Sequence, residues 1–490
     1  MYGQNDTITP NGGTLILGSA GLLTATGSTL TINGDANNSG ILAMGIYPYG
    51  SYFSGNLTIT GNLTNNSGTV TVENGSTLQI NGDVTNSGSL VTGSGNFGGN
   101  TLIVNGNLAN NLGGSFGLYS PYGLGDRATI GSMDNNGLIE LDNNSDLTVK
   151  GGVSNSGTFE LVGPGSTATV GSVVNSGFIE LDNNSELTVR GDVSNSGDIY
   201  RNFYKGSGKN TITINGTLTN QSTGRFILLG PGDMTTIGGL DNSGLVKVAN
   251  GSTLLITGDL NNFAKGAIYV ESSTLLVNGN LNNSGTLVID PSTLTVTGTL
   301  TNNAGSTFTL AAGDTLNVGS LNNLGSFVLP SGTQLSTPIF SSTGSATVDA
   351  LATLLVGTGA AGNTGYYQLA NGTLGEHINM ADFGVIVVNG AAHLDGTLAV
   401  LLQNAYNPTV GSTFGFLTFT PGDLSGVFAS LQDAVFNNGT ERWVVIYDNF
   451  NGVVELQAVA NNPTPEPASL LLLGTGLIGA IGVIRRKINL

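Results

Sequence analysis

Cysteine is absent from all 490 residues, which excludes a disulfide framework and a thiolate metal cage while leaving export open. Charge is scarce: Asp, Glu, Lys and Arg make up 9% of the chain, against roughly 25% in an ordinary soluble domain. Basic groups are scarcer still. Thirteen Lys and Arg stand against 31 Asp and Glu, for a net charge of −18, and none lies between Lys265 and Arg442. That argues against a nucleic-acid partner, since affinity for a phosphate backbone comes largely from Lys and Arg displacing counterions. There are two histidines, His377 and His393. No phosphate-binding loop and no Ser-His-Asp arrangement stands out, and no cofactor is implied. Met1–Ile16 lacks the basic start and apolar core of a secretory leader; this reads as a truncated chain or a misplaced start.

Glycine, with 77 residues, and Asn, Ser and Thr take the place of the missing charge. The glycine follows no Gly-X-Y period, which excludes collagen, and 39% hydrophobic residues is too apolar for simple disorder. An acidic, neutral-polar surface suits a protein that stays soluble outside the cell.

The glycines mark a repeat. Gly-x-apolar-x-Asn, followed shortly by another Gly, recurs fourteen times, at spacings of 19 to 27 residues and most often 20 to 22. Two of its segments, Gly137–Gly157 and Gly177–Gly197, match at 17 of 21 positions with an offset of 40, two repeats. The fifth position of the motif is asparagine in every copy: Asn38, Asn65, Asn86, Asn110, Asn135, Asn155, Asn175, Asn195, Asn220, Asn242, Asn262, Asn283, Asn302 and Asn323. Each turn of the fold therefore needs an asparagine at one spot.

Apolar residues alternate within a repeat, as in Ile179-Glu180-Leu181 and Leu187-Thr188-Val189. Period two means short strands with one buried face. Short strands, tight polar corners and a period near 20 predict an all-β parallel β-helix of one coil per repeat. Coils stack about 4.8 Å apart, and none stands alone, because a repeat buries its apolar face only against its neighbours. The asparagines are expected to face inward, each amide donating to the next coil's amide oxygen and to corner backbone groups; sugar or metal binding is the competing reading. The chain divides into a repeat region over 1–345, a β-rich cap over 346–460 and a tail over 461–490.

Candidates for chemistry are few. Glu376, Asp382 and Asp395 lie near the two histidines in sequence, a conceivable metal or acid–base cluster, although the spacing fits no tight ligand motif. The corners Asp142–Asp146 and Asp182–Glu186 are expected to be Asx turns; calcium is the alternative. Parallel β-helices also host polysaccharide lyases and hydrolases, whose sites need clustered carboxylates on one face. No such cluster is evident, so the chain reads as non-enzymatic.

From about Gly365 to Ala460 the texture changes to longer β-rich runs: Val385–Val388, Gly396–Leu402, Phe414–Phe419, Trp443–Tyr447 and Val453–Val459. The order Gly-Thr-Leu, then Tyr-x-Pro-x-x-Gly-x-x-Phe, resembles the segment that closes the β-helix in autotransporter-like adhesins. The tail reads Pro465-Glu466-Pro467, an uncharged apolar run over Ala468–Ile484, then Arg485-Arg486-Lys487. As a helix that run spans about 25 Å, slightly short of a roughly 30 Å hydrocarbon core, and the basic end should stay cytoplasmic. The three parts in this order resemble the PEP-CTERM sorting signal of Gram-negative bacteria. The resemblance implies an exosortase-type processing enzyme as partner, transient residence in the inner membrane, and release to the cell surface or extracellular matrix. Exopolysaccharide is a further expected partner. The reading is a surface or matrix structural, adhesive protein; the runner-up is a carbohydrate-active β-helix protein.

Overall fold

The computed structural model describes residues 5–11, 13–45, 53–93, 98–120, 124–201, 209–357, 365–380 and 382–461. The tail, with Pro465, Glu466, Pro467, Arg485, Arg486 and Lys487, lies outside them. The fold is an all-β parallel solenoid of about 17 turns. The one helical element among the described residues is a 3₁₀ turn at Asn437–Gly439.

Each coil has three faces. In one of the most regular, Thr253–Ile256 forms the first, Leu260–Asn262 the second and Ala267–Glu271 the third. Each strand pairs in parallel with its copy in the next coil, Leu254 against Leu275, Leu260 against Leu281, Ile268 against Leu287. Alternation turns five apolar side chains inward per coil; here Leu254, Ile256, Leu260, Ile268 and Val270 are fully buried. Stacked copies merge into one core running the length of the solenoid.

The corner between the first and second faces follows local sequence. With Gly-Gly or Gly-Ser the two faces fuse into one bulged strand, as in Asp146–Asn155 and Thr167–Asn175. With Asp35, Asn62 or Asp83 after the glycine the strand breaks, and the side chain holds the next coil's backbone. Asp35 Oδ1 accepts from the Asn62 N–H at 2.7 Å, Asn62 Oδ1 from the Asp83 N–H at 2.8 Å, and Asp83 Oδ1 from the Asn107 N–H at 2.8 Å.

The second glycine of the motif has a steric cause. A Cβ on Gly177 would sit 2.2 Å from the Gly157 carbonyl oxygen, and one on Gly157 the same distance from that of Gly137. Coils approach too closely at this corner for any side chain, so glycine recurs whatever its φ.

One inward position departs from the pattern. Thr235 stands between Ile212 and Leu254, fully buried, and its hydroxyl has no hydrogen-bond partner. Valine keeps the branch and removes the stranded hydroxyl. Thr235→Val is expected to stabilise the protein by about 1–2 kcal/mol, read as a higher denaturant midpoint at unchanged slope.

The third-face ladder runs unbroken from Leu22–Ala25 to Ser430–Gln432, so parallel stacking continues past residue 345. Pairing turns antiparallel at Thr413–Thr418. This strand pairs in parallel with Val385–Val388 and antiparallel with Val453–Ala460, which in turn pairs with Glu441–Asp448. These antiparallel strands close the end of the stack around the buried Trp443, whose ring lies 5.7 Å from Phe414 and 4.7 Å from Phe436. A solenoid end is otherwise an exposed sheet edge.

Candidate functional site

The fourteen motif asparagines end the second-face strands pointing inward, each no more than 1% exposed. Their amides form one ladder. Asn38 Nδ2 donates to Asn65 Oδ1 at 2.9 Å, and donors continue coil by coil to Asn302 Nδ2, which donates to Asn323 Oδ1 at 2.9 Å. The second amide hydrogen goes to the carbonyl that opens the next coil's third face, as from Asn155 to Phe178 O at 3.0 Å. Side chains this fully paired and shut away from solvent have a structural chemistry. After Asn323 the donor meets Ser342 Oγ at 3.2 Å, and the position then passes to Gln368.

A second buried polar column occupies the corner before the first face. Ser76, Asn100, Asp126, Ser145, Ser166, Ser185, Asn210, Asp233, Ser252, Ser273, Ser292 and Asp314 are all buried there. All but Ser166 hold neighbouring groups: Asn210 Oδ1 accepts from the Ser185 N–H at 3.0 Å, and Asp233 Oδ1 from the Asn210 N–H at 3.0 Å. Burial raises the carboxyls of Asp126 and Asp314, and hydrogen bonds to Thr92 and Asn100, or to Ala311 and Ser292, work against it. Sequence reading missed this column because the residue varies among Ser, Asn and Asp; the available signal was a small polar residue just before each first-face strand.

The acidic corners are turns. Asn143, Asn144, Asn183 and Asn184 take left-handed backbone, φ 49–62°, which asparagine tolerates well. Ser185 Oγ donates to Asp182 O at 2.6 Å, and Asn183 Nδ2 to Val162 O at 2.7 Å. Among the described residues no three His, Asp or Glu side chains converge as metal ligands would.

The histidines part company. His377, on a third-face strand, places Nδ1 2.5 Å from Asp349 Oδ1 and 2.8 Å from Gln403 Nε2. His393, on a second-face strand, meets Ser425 Oγ at 2.9 Å. Asp395 is engaged by the Gly396 N–H at 2.7 Å, Asp382 is exposed, and Glu376 points into the core. The sequence neighbours thus do not form one site.

An open trough of about 870 Å³ runs along the corner between the second and third faces. It follows from the glycine corners: Ser156, Ser176 and Ser196 line it, with Leu138 and Phe178 on the third-face side. On that face Glu140, Glu160 and Glu180 lie in register on successive coils, with Tyr200 next. Tyr119 donates to Glu140 Oε2 at 2.9 Å, and Phe178 meets Tyr200 edge-on at 4.5 Å.

Beyond the cap the chain heads into the tail from Asn461, tied by its N–H to Thr440 O at 2.8 Å and by Nδ2 to Gly439 O at 2.9 Å. Residues 463–487 match the PEP-CTERM protein-sorting motif. The chain carries a PEP-CTERM sorting signal. Such a signal marks an exported, cell-surface-directed protein processed by an exosortase, and the PEP-CTERM match covers Pro465, Glu466, Pro467 and the basic run Arg485–Lys487. No helix among the described residues is long and apolar enough to cross a membrane; the apolar run of the PEP-CTERM tail lies outside them. No curated protein matches the chain.

Proposed function

We propose that this protein is a structural, adhesive element of the bacterial surface or exopolysaccharide matrix, a rod passed through the inner membrane and released from it at its tail. The observation that carries the reading is the union of a sorting signal with a solenoid whose repeated polar side chains are spent on holding coils together. An exported rod needs length and a surface, and a stack of near-identical coils supplies both.

A second reading, a carbohydrate-active protein, is favoured by one observation: the trough beside Glu140, Glu160 and Glu180, with Tyr119, Phe178 and Tyr200 on the same face. Deleting residues 138–177 separates the two. The cut removes two coils in register and, with them, Glu140 and Glu160. For a structural rod, the shortened protein should fold, be processed and remain matrix-associated as the full chain does. The full chain should also leave neutral and acidic polysaccharides intact. Depolymerisation by the full chain that the deletion and Glu160→Gln both abolish would replace the structural reading with the enzymatic one.

A further inference from the structure

The third-face position that faces the core carries Leu329, Val348 and Val400 in neighbouring coils. Between Val348 and Val400 it carries Glu376, which is fully buried. Neither carboxyl oxygen has a hydrogen-bond partner. The Gly384 N–H approaches without completing a bond and offsets only part of the upward push that burial and the nearby Asp349 exert on the carboxyl.

The amide ladder has already ended one coil below, where the Ser342 hydroxyl, met by Asn323, donates to Gly344 O at 3.3 Å in its own coil. Gln368 occupies the asparagine position, fully buried; its Oε1 accepts from Tyr366 at 3.1 Å, while its Nε2 has no partner. The coil beyond carries buried Leu394 after His393, the partner of Tyr367, and leucine accepts nothing. The tie that joins coil to coil from Asn38 to Asn323 is thus missing at this level.

Few charged groups surround Glu376. Asp349 sits in the turn one coil below, where it is paired with His377. Tyr366, on the second face of the same coil, is held neutral by burial. Asp382, on the two-residue strand Asp382–Phe383 that pairs antiparallel with Ile378–Asn379, is exposed. The first-face strand Thr353–Val356 and the strand above, Thr397–Leu402, bring no titratable side chain. Nothing there compensates a negative charge on Glu376.

We propose that the coil formed by the strands Thr353–Val356, Gly365–Gln368 and Thr373–Asn379 is a pH-sensitive joint, which keeps the antiparallel cap seated on the solenoid in acid and lets it come loose as the pH rises, while the coils below stay folded. A carboxyl whose pKa is raised on folding contributes stability that is complete below the unfolded value, about 4.3 for Glu, and is lost as the pH climbs through the folded value. Because the chain enters the sorting tail from the cap, the joint separates the rod from the processed end.

The protein contains its own reporter. Trp443 is the single tryptophan of the chain and is buried in the cap. Thermal unfolding of the purified full chain, followed by Trp443 fluorescence and by far-UV circular dichroism from pH 5 to pH 9, tests the proposal. The Trp443 midpoint should fall with rising pH, the opened population growing by up to about tenfold per pH unit, while the main dichroism transition holds. Glu376→Gln should flatten the fluorescence dependence. Glu376→Leu, which restores the residue class of neighbouring coils, should flatten it and raise the midpoint, and serves should the glutamine variant fail to fold. A Trp443 midpoint that ignores pH, one that moves together with the solenoid transition, or a dependence that survives in the folded variants would overturn the joint.

Discussion

Asn155→Ala is expected to cost about 3–4 kcal/mol, far more than its size suggests. The substitution strips the partner from Asn135 Nδ2, 2.7 Å away, from Asn175 Oδ1, also at 2.7 Å, and from the Phe178 carbonyl at 3.0 Å. All lie where water cannot replace what is lost, and each buried polar group left unpaired costs about 1–3 kcal/mol. The neighbouring Ser154→Ala removes an exposed hydroxyl from the same strand and should cost less than about 0.5 kcal/mol. Asn155→Asp sharpens the comparison. A carboxylate still accepts from Asn135 but cannot donate to Asn175, and it places a charge in the core, so its deficit should shrink in acid. Denaturant midpoints of the three variants provide the check; similar midpoints for Asn155→Ala and Ser154→Ala would mean that the ladder does not bind the coils.

Glu466→Ala should abolish release from the membrane in a host with the processing system. A permanent anchor needs only apolar length and a basic stop, and has no use for Pro-Glu-Pro immediately before the span. Pro465 and Pro467 disfavour helix, as a segment that a membrane-bound enzyme must cut would require. Glu466 adds a charge that does not enter hydrocarbon cheaply and so holds the site at the outer surface. Wild type should be recovered outside the cell, shortened by roughly the tail, with its new C-terminus near Pro465–Pro467 by mass spectrometry. The variant should stay full-length in the inner membrane. Release of both forms alike would reduce the tail to an anchor.

Much of this was legible because the chain repeats itself. Asn38 alone says nothing; fourteen asparagines at one position of a coil name a buried ladder. The longer runs of the C-terminal region, such as Val385–Val388 and Val453–Val459, were legible as strands from their richness in β-favouring residues. Other features were hidden by variation. The second polar column changes among Ser, Asn and Asp because several short side chains can reach the same backbone groups, so no letter repeats. The coils beyond Leu329 escape the motif because Ser342 and Gln368 take the asparagine position and the connection after Leu402 is longer. Parallel pairing needs only the alternation of buried residues, which persists. Glu376 was noticed for its proximity to His377 in sequence, but adjacent strand residues face opposite sides, and that geometry sends His377 toward Asp349 and Glu376 into the core.

The amide ladder also has a direction. Every side-chain amide from Asn38 to Asn302 gives its hydrogen to the asparagine of the following coil, never to the one before. A chain that emerges N-terminus first therefore always ends in a finished coil holding out a donor, and the incoming segment completes itself by supplying the acceptor. The aligned amides add into a dipole along the rod with its positive end toward the cap.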